Sequence, residues 1–242
     1  MKKGTFYGIG IGPGDPDLIT AKGVAILGVC PHIFVPKASD KAESLALAVA
    51  RKHIGPAAHI HQIVFPMTSD KTELDNKWEA AANAVADVLE TGEDACFLTL
   101  GDTFLYSTYI YLLRALRNRM PDLNVVTVPG ITSFSAAAAI AEFPVGEGKK
   151  PVTIVPTADD LDEVRRAVSS NGSVILMKIG KRLGRILEVL EELDALDRSV
   201  FLSHVCMENQ RVETDLNTLK GASAEAGYLS IILVRGKAEE CR

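Results

Sequence analysis

Cysteine is scarce in this 242-residue chain, and its placement indicates neither of the structures that cysteine usually builds. The four residues Cys30, Cys96, Cys206 and Cys241 are scattered, without a C-x-x-C pair and without a histidine at metal-ligand spacing. The sequence therefore predicts neither a disulfide framework nor a zinc site. A reduced, cytoplasmic location fits this usage of cysteine.

Clustered basic charge and long apolar runs are also lacking. The net charge is -5, whereas a nucleic-acid footprint needs grouped Lys and Arg side chains. No stretch approaches the roughly 18 apolar residues of a membrane span, and the apolar run after Lys2 and Lys3 is interrupted by "GPGD" before a signal-peptide core could form. We therefore expect neither nucleic acid nor a membrane as a partner. Hydrophobic residues make up 47% of the chain, which is ample for a packed core.

The glycine-rich stretch "FYGIGIGPGDPDLITAKG" lacks the dinucleotide fingerprint G-x-G-x-x-G, because the third glycine is replaced in all three registers, by Pro13, Asp15 or Asp17. Asp15 followed by Pro16 is typical of a helix N-cap, and its carboxylate would repel a phosphate. The acid expected at the end of the second strand is missing too, since that strand ends in Lys37. The ligand is therefore not expected to be a dinucleotide. A turn that needs glycines for geometry alone explains this stretch equally well.

Apolar, β-branched runs alternate with helical patterns along the first half of the chain, which predicts a parallel, doubly wound sheet. In the second half the strands are spaced more widely, and a long polar segment precedes the last strand "YLSIILVRG". This pattern favours a smaller mixed sheet with helices. We predict two α/β domains, 1–122 and 123–242, with a boundary anywhere from the helix "LRALRNR" to "GEGKK".

Three predicted strand-end loops, at 8–16, 98–108 and 128–139, are rich in glycine, small hydroxyl residues and aspartate. Ligands of open α/β sheets collect at such carboxyl ends. Asp102 could accept hydrogen bonds from ribose hydroxyls or an ammonium group, or it could only cap a helix starting near Phe104. Thr132 and Ser133 could meet a ligand, or could only cap a helix whose four alanines pack closely. The combination of three such loops favours a ligand site.

Histidine and lysine give weaker signals. His59 and His61 alternate on one strand face and His204 ends another strand, but histidines without matched carboxylates or cysteines are more often surface or hydrogen-bonded core residues. Lys149 and Lys150 are of interest only for a polyanionic substrate. No Ser-His-Asp or Cys-His arrangement is present.

Together the loops resemble the tetrapyrrole methylase family, the S-adenosylmethionine enzymes of corrin and siroheme synthesis. The resemblance covers essentially the whole chain and rests on "GIGPGDPDLITAKG", "GDTFLYST", "VPGITSFSAAAA", "ILMKIGK" and "SIILVRG" in order. Within the family the second and third motifs look most like the precorrin-2 C(20)-methyltransferases. Two departures are Thr103, where the family has proline, and Pro36, where the relatives that methylate uroporphyrinogen III have aspartate.

The resemblance implies a homodimer of two-domain α/β subunits that bind S-adenosylmethionine in a cleft between the domains and release S-adenosylhomocysteine. The substrate would be precorrin-2 or cobalt-factor II, and the reaction would methylate its C(20) meso carbon. A local cationic rim for this polycarboxylate would contain Lys37, Lys149 and Lys150. The meso carbon must also lose a proton, for which no residue is assigned. The implied cofactor contacts are Pro13, Gly101, Asp102, Leu105, Thr132, Ser133, Met177, Val205 and Tyr228.

Other functions fit the same loops. A methylase of a different corrin intermediate, a methylase of protein or RNA, and a non-catalytic cofactor-binding protein are all compatible with them. A nicotinamide-dependent oxidoreductase is disfavoured by the failed glycine registers.

Overall fold

The computed structural model describes residues 2–39, 43–65, 70–157 and 159–237. By internal contacts the chain divides into two compact units, Met1–Thr132 and Ser133–Arg242. The division falls later than the boundary inferred after residue 122, because the strand Val125–Val128 is hydrogen-bonded into the sheet of the first unit. Within the described ranges, every helix is too short or too polar to cross a membrane.

Five parallel strands form the sheet of the first unit, as the alternating pattern predicts. The strands are β1 (Phe6–Gly10), β2 (His32–Lys37), β3 (His59–Val64), β4 (Ala95–Thr99) and β5 (Val125–Val128). Their order is β3-β2-β4-β1-β5, so the chain winds outward from β1 to β3 and then returns to both sides of β1.

Helices cover both faces of this sheet. The helices are α1 (Ala21–Leu27), α2 (Leu45–Ala50), α3 (Lys71–Glu90) and α4 (Tyr109–Arg119). Alternate strand residues point to opposite faces, so Phe34 and Phe97 pack with α3 and α4 while Ile33 and Leu98 pack with α1 and α2. These buried, two-sided strands are typical of a doubly wound parallel sheet.

Two helix starts differ from the sequence prediction. Asp15 does cap a helical turn, since its carboxylate accepts the Asp17 N–H at 2.8 Å, but that turn is a short 3-10 segment, Pro16–Leu18. The α-helix α1 begins later, where the Thr20 hydroxyl accepts the Gly23 N–H at 3.2 Å. The helix expected near Phe104 begins only at Tyr109. Each glycine- and aspartate-rich loop is therefore longer than the sequence indicates.

The second unit contains a mixed sheet, as predicted. Its strands are β6 (Val152–Pro156), β7 (Ser173–Met177), β8 (Ser199–Ser203), β9 (Arg211–Glu213) and β10 (Ser230–Val234). They lie in the order β6-β7-β10-β8-β9, with β6 and β7 parallel and the other neighbouring pairs antiparallel. The sequence does not predict β9, because this strand lies inside the polar segment and pairs with β8 at the sheet edge.

The described part of the second unit also contains the α-helices α5 (Ser133–Ile140), α6 (Asp162–Val168) and α7 (Leu183–Glu192). In α7 the buried residues Leu183, Ile186, Leu187 and Leu190 recur at helical spacing and form one apolar stripe. This stripe and α6 pack on one face of the sheet in a single core. The helix α5 contacts the central strand β10.

Candidate functional site

The loops that follow β1 and β4 meet at the carboxyl edge of the first sheet. These strands are neighbours, but the connection after β1 leads to β2 and the connection after β4 leads to β5, in opposite directions. Such a switch point is where open α/β sheets bind ligands. Gly12 and Gly101 join the two loops through an antiparallel bridge, with N–H to carbonyl distances of 3.2 and 2.7 Å. Both have φ near +75°, a conformation that glycine adopts without strain.

The backbone of a third loop, after β5, contacts the backbones of the first two loops. A Cβ atom at Gly130 would lie 2.1 Å from the Gly101 carbonyl oxygen, and one at Gly10 would lie 2.5 Å from the Gly130 nitrogen. These glycines are therefore needed for packing of the loops. Gly101 differs, because a Cβ there would meet nothing within 4 Å. Its α-carbon faces open space, so a ligand could approach the backbone at this point.

The Asp102 carboxylate connects two of these loops. One oxygen accepts the Phe104 N–H at 2.8 Å, and the other accepts the Gly130 N–H at 3.1 Å. The first bond is the cap that the sequence predicts as the alternative to a ligand contact. The segment that Asp102 caps is not an α-helix, however. The second bond was not predicted. A carboxylate accepts about four hydrogen bonds, so half of the capacity of this half-buried group is left for a ligand.

The other predicted contacts of the first unit lie on the same loops with different exposure. Pro13 is buried and Leu105 is half-buried, while the aromatic residues on either side of Leu105, Phe104 and Tyr106, are 57% and 41% exposed. Thr103 is buried, and its carbonyl accepts a hydrogen bond from the Ser107 hydroxyl. That bond closes the turn between Thr103 and Ser107.

Thr132 and Ser133 stand at the start of α5, as the sequence predicts, and both are half-buried. Of the four alanines that follow, Ala136 and Ala137 are buried in the second unit. Close packing inside the protein therefore explains two of the four alanines.

The predicted contacts of the second unit gather at one edge of its sheet. Because β10 runs antiparallel to both β7 and β8, its first residues pair with the last residues of those strands, Ile231 with Met177 and Ser230 with Ser203. Tyr228 therefore lies just before this edge, and Val205 lies just after it. Tyr228 is 48% exposed, whereas Val205 is buried.

Thr157, which the sequence did not single out, fixes the end of β7. Its N–H and its hydroxyl both donate to the Met177 carbonyl, at 2.8 and 3.1 Å, and the hydroxyl also lies 2.9 Å from the Lys178 carbonyl. The signal that could have identified Thr157 is a hydroxyl residue directly after the strand "VTIVP".

The three lysines predicted for a cationic rim lie at different edges. Lys37 ends β2 at the carboxyl edge of the first sheet. Lys149 and Lys150 are exposed and precede β6, so they lie at the edge of the second sheet opposite to Met177, one strand length or about 16 Å away. Their role in substrate binding stays a prediction.

Three histidines form a cluster at the amino edge of the first sheet, where the sequence suggested isolated residues. His32 Nδ1 lies 3.0 Å from His61 Nε2, and His32 Nε2 lies 3.0 Å from a Glu93 carboxylate oxygen. Burial, and secondly the neighbouring His32 and His59, lower the pKa of His61. The register that pairs His32 with His59 creates the cluster. Among the residues that the structure describes, no group of three His, Cys, Asp or Glu side chains could hold a metal ion.

Comparison with known proteins gives a family match over most of the chain. Residues 5–220 match the profile of the tetrapyrrole (corrin/porphyrin) methylases. The cobalt-precorrin-2 C(20)-methyltransferase of Salmonella typhimurium is 31% identical over 231 residues, which are 96% of each chain. The precorrin-2 C(20)-methyltransferase of a Sinorhizobium species is 29% identical over 242 residues, again 96% of each chain.

Solved structures share the fold at lower identity. A cobalt precorrin-4 methyltransferase superimposes with a TM-score of 0.74 and 19% identity, covering 96% of this chain and 94% of the other. A uroporphyrin-III C-methyltransferase of Thermus thermophilus, complexed with S-adenyl homocysteine, gives a TM-score of 0.62 and 18% identity over 96% and 97% of the chains. Both comparisons support the two α/β sheets described above.

Proposed function

Because the chain belongs to the tetrapyrrole (corrin/porphyrin) methylases, we propose that it transfers a methyl group from S-adenosylmethionine to C(20) of precorrin-2 or cobalt-factor II. The observation that carries this proposal is the end-to-end match to the relatives named for that reaction, at 31% and 29% identity. The reaction belongs to the synthesis of the corrin ring.

The carboxyl edge of the first sheet has the chemistry that this cofactor needs. Asp102 keeps acceptor capacity for the ribose hydroxyls or the ammonium group, and its two backbone bonds hold the carboxylate in place. Gly101 has open space beside its α-carbon, so that a flat or bulky group can approach the main chain. In the second unit, we propose that Met177, Val205 and Tyr228 contribute the contacts that the family resemblance implies.

S-adenosylmethionine supplies an electrophilic methyl group on a sulfonium. The protein then has to position the methyl donor and the tetrapyrrole and to shield both from water. Carbonyl groups at the strand ends can stabilise positive charge, because their dipoles are fixed by the backbone bonds between the loops. Holding donor and acceptor in line can supply several kcal/mol of the rate enhancement, about 7 or more in the best cases.

We further propose that the protein acts in the cytoplasm as a homodimer. The scattered cysteines and the net charge of -5 support a reduced compartment and a substrate other than nucleic acid. The family resemblance supports the homodimer, and sedimentation of the purified protein tests it.

Calorimetric titration with S-adenosylhomocysteine tests the cofactor site, with NADH as the comparison ligand. We expect the first ligand alone to bind, and Asp102→Ala to weaken its affinity by about 10-fold or more, as the loss of a charge-assisted hydrogen bond predicts. Asp215→Ala is a matched control, because Asp215 is an exposed aspartate that caps a short helical turn in the second unit through the Asn217 N–H at 3.0 Å.

Turnover then tests the substrate. Purified enzyme should form S-adenosylhomocysteine from precorrin-2 or from cobalt-factor II, and mass spectrometry should find one added methyl group. Cofactor binding without turnover of either compound would contradict the assignment to C(20) and would favour a different corrin intermediate or a non-catalytic binding protein.

A further inference from the structure

Seven non-glycine residues of the described ranges have a positive φ angle, and two of these have an ordinary explanation. Glu142 and Asp194 follow α5 and α7. In both places the next residue donates its N–H to a carbonyl five positions earlier, Phe143 to Ala138 and Ala195 to Leu190, both at 2.8 Å. This is the usual left-handed ending of a helix.

The other five lie in loops at strand ends. Tyr106 belongs to the loop after β4, and the remaining four, which are Lys178, His204, Cys206 and Leu229, surround the edge of the second sheet where β7 and β8 end and β10 begins. Left-handed backbone at non-glycine residues persists only where the surrounding structure enforces it, and such residues cluster at active sites. The His204 N–H donates to the Leu229 carbonyl at 3.0 Å, so two strained residues hold each other.

The His204 side chain differs from the other histidines. The imidazoles of His32, His53 and His61 each take part in a hydrogen bond inside the fold, and His59 is exposed. Within 2–39, 43–65, 70–157 and 159–237, the imidazole of His204 makes no hydrogen bond, although the residue is half-buried. An imidazole held at a strand end with both nitrogen atoms available is suited to proton transfer.

The ring of Tyr228 lies beside the imidazole of His204. The two ring centroids are 6.1 Å apart, at an interplanar angle of 60°. Tyr228 follows Gly227, where a Cβ would lie 1.9 Å from the Gly180 carbonyl oxygen, so the Tyr228 segment packs tightly on the loop after β7. His204, Tyr228 and Met177 are thus parts of one edge with a defined geometry.

We propose that His204 is the base that removes the proton from the methylated meso carbon. This inference rests on the proposed function, which requires that proton to leave. In the first step the carbon–sulfur bond of the methyl donor breaks with its electron pair passing to sulfur, and a π pair of the tetrapyrrole forms the new carbon–carbon bond. In the second step the C(20)–H bond breaks, its electron pair returns to the ring system, and the proton passes to the imidazole, which releases it to solvent.

The experiment is single-turnover rapid quench with substrate carrying hydrogen or deuterium at C(20), on wild type, His204→Asn and the control His59→Asn. In His204→Asn, S-adenosylhomocysteine should form at the wild-type rate, while loss of the C(20) proton should slow by about 100-fold and acquire a primary isotope effect. His59→Asn should match wild type. Calorimetry should show unchanged affinity of the His204 variant for S-adenosylhomocysteine.

The outcomes separate the two proposals. If wild type is active and His204→Asn loses the C(20) proton at the wild-type rate, the role of His204 is refuted and the proposed function stands. The role of His204 is also refuted, and the proposed function stands, if the variant slows the methyl transfer step and shows no isotope effect on proton loss. Wild-type enzyme that forms no S-adenosylhomocysteine from either tetrapyrrole refutes the proposed function, and the role of His204 with it.

Discussion

The strand-end edges of the two sheets are built with the same backbone device but present different chemistry. In the first unit the carbonyl of Gly101, a positive-φ glycine after β4, packs against Gly130 of a neighbouring loop. In the second unit the carbonyl of Gly180, a positive-φ glycine after β7, packs against Gly227 in the same way. The first edge is otherwise mostly unstrained backbone beside the Asp102 carboxylate, whereas strained non-glycine residues surround the second. The first edge is suited to contacting a ligand through the protein backbone, and the second to placing side chains against it.

The largest effect is expected from filling the two glycine contacts. Gly130→Ala would place a Cβ 2.1 Å from a carbonyl oxygen, and Gly227→Ala would place one at 1.9 Å. Because backbone atoms cannot move aside as a flexible side chain can, each variant should lose about 3 kcal/mol or more of unfolding free energy. Urea unfolding followed by circular dichroism measures this loss. A loss below about 1 kcal/mol in either variant would show that the two edges are not built alike.

A smaller effect is expected at the partner glycines. A Cβ at Gly101 or at Gly180 meets nothing within 4 Å, so alanine there carries only the strain of its left-handed backbone, about 1–2 kcal/mol. Gly101→Ala should in addition weaken S-adenosylhomocysteine binding, because the methyl group would occupy the open space beside Asp102. Gly221→Ala is the control, since Gly221 also has positive φ and open space but belongs to the second unit. Equal calorimetric affinity in Gly101→Ala and the control would contradict a ligand at Gly101.

Relief of strain should distinguish the second edge from an ordinary helix end. His204→Gly and Asp194→Gly both remove a non-glycine residue with φ of +50°. Each should raise the unfolding free energy by about 0.5–1 kcal/mol, but only His204→Gly should slow the loss of the C(20) proton. A stabilised His204→Gly variant with full activity would mean that the strain at this edge serves packing rather than function.

The smallest effect is expected at the histidine cluster, on the edge of the first sheet opposite to Asp102. The folded state lowers the pKa of His61 below its ordinary value of 6.5, mainly through burial. As pH falls through about 6.5, the unfolded chain therefore takes up this proton first, and stability decreases. His61→Gln should flatten the pH dependence of the unfolding free energy relative to wild type. Parallel pH profiles for the variant and the wild type would exclude this contribution of His61.

Much of the fold can be predicted from local patterns. The five strands of the first sheet and four of the second were predicted, most of them from apolar runs such as "ACFLT" and "SIILV" that are buried on both faces, and the exposed edge strand β3 from its alternating pattern "HIHQIV". The exception, β9, contains Arg211 and Glu213, because an edge strand with exposed side chains carries no apolar signal. Helix starts were less predictable, since Asp15 and Asp102 have the chemistry of caps wherever a turn, and not only an α-helix, follows.

The candidate site was predictable as a set of loops but not as a set of contacts. The position of Asp102 directly after an apolar strand marks it as a strand-end carboxylate. That it accepts the N–H of Gly130, 28 positions further on, depends on β5 pairing beside β1. In the same way, no local pattern indicates that His32, His61 and Glu93 meet, because their contact depends on strand register.

The sequence by itself determined the composition of each loop, the alternation of strands and helices, and hence the family and the chemistry available. Those features are encoded locally, in side-chain periodicity and in the backbone freedom of glycine. Only the tertiary structure decided which glycines pack on carbonyls, which glycine faces open space, and which half-buried imidazole of the described residues makes no hydrogen bond. Such contacts join residues distant in sequence, so they are fixed by strand order and register rather than by any short segment.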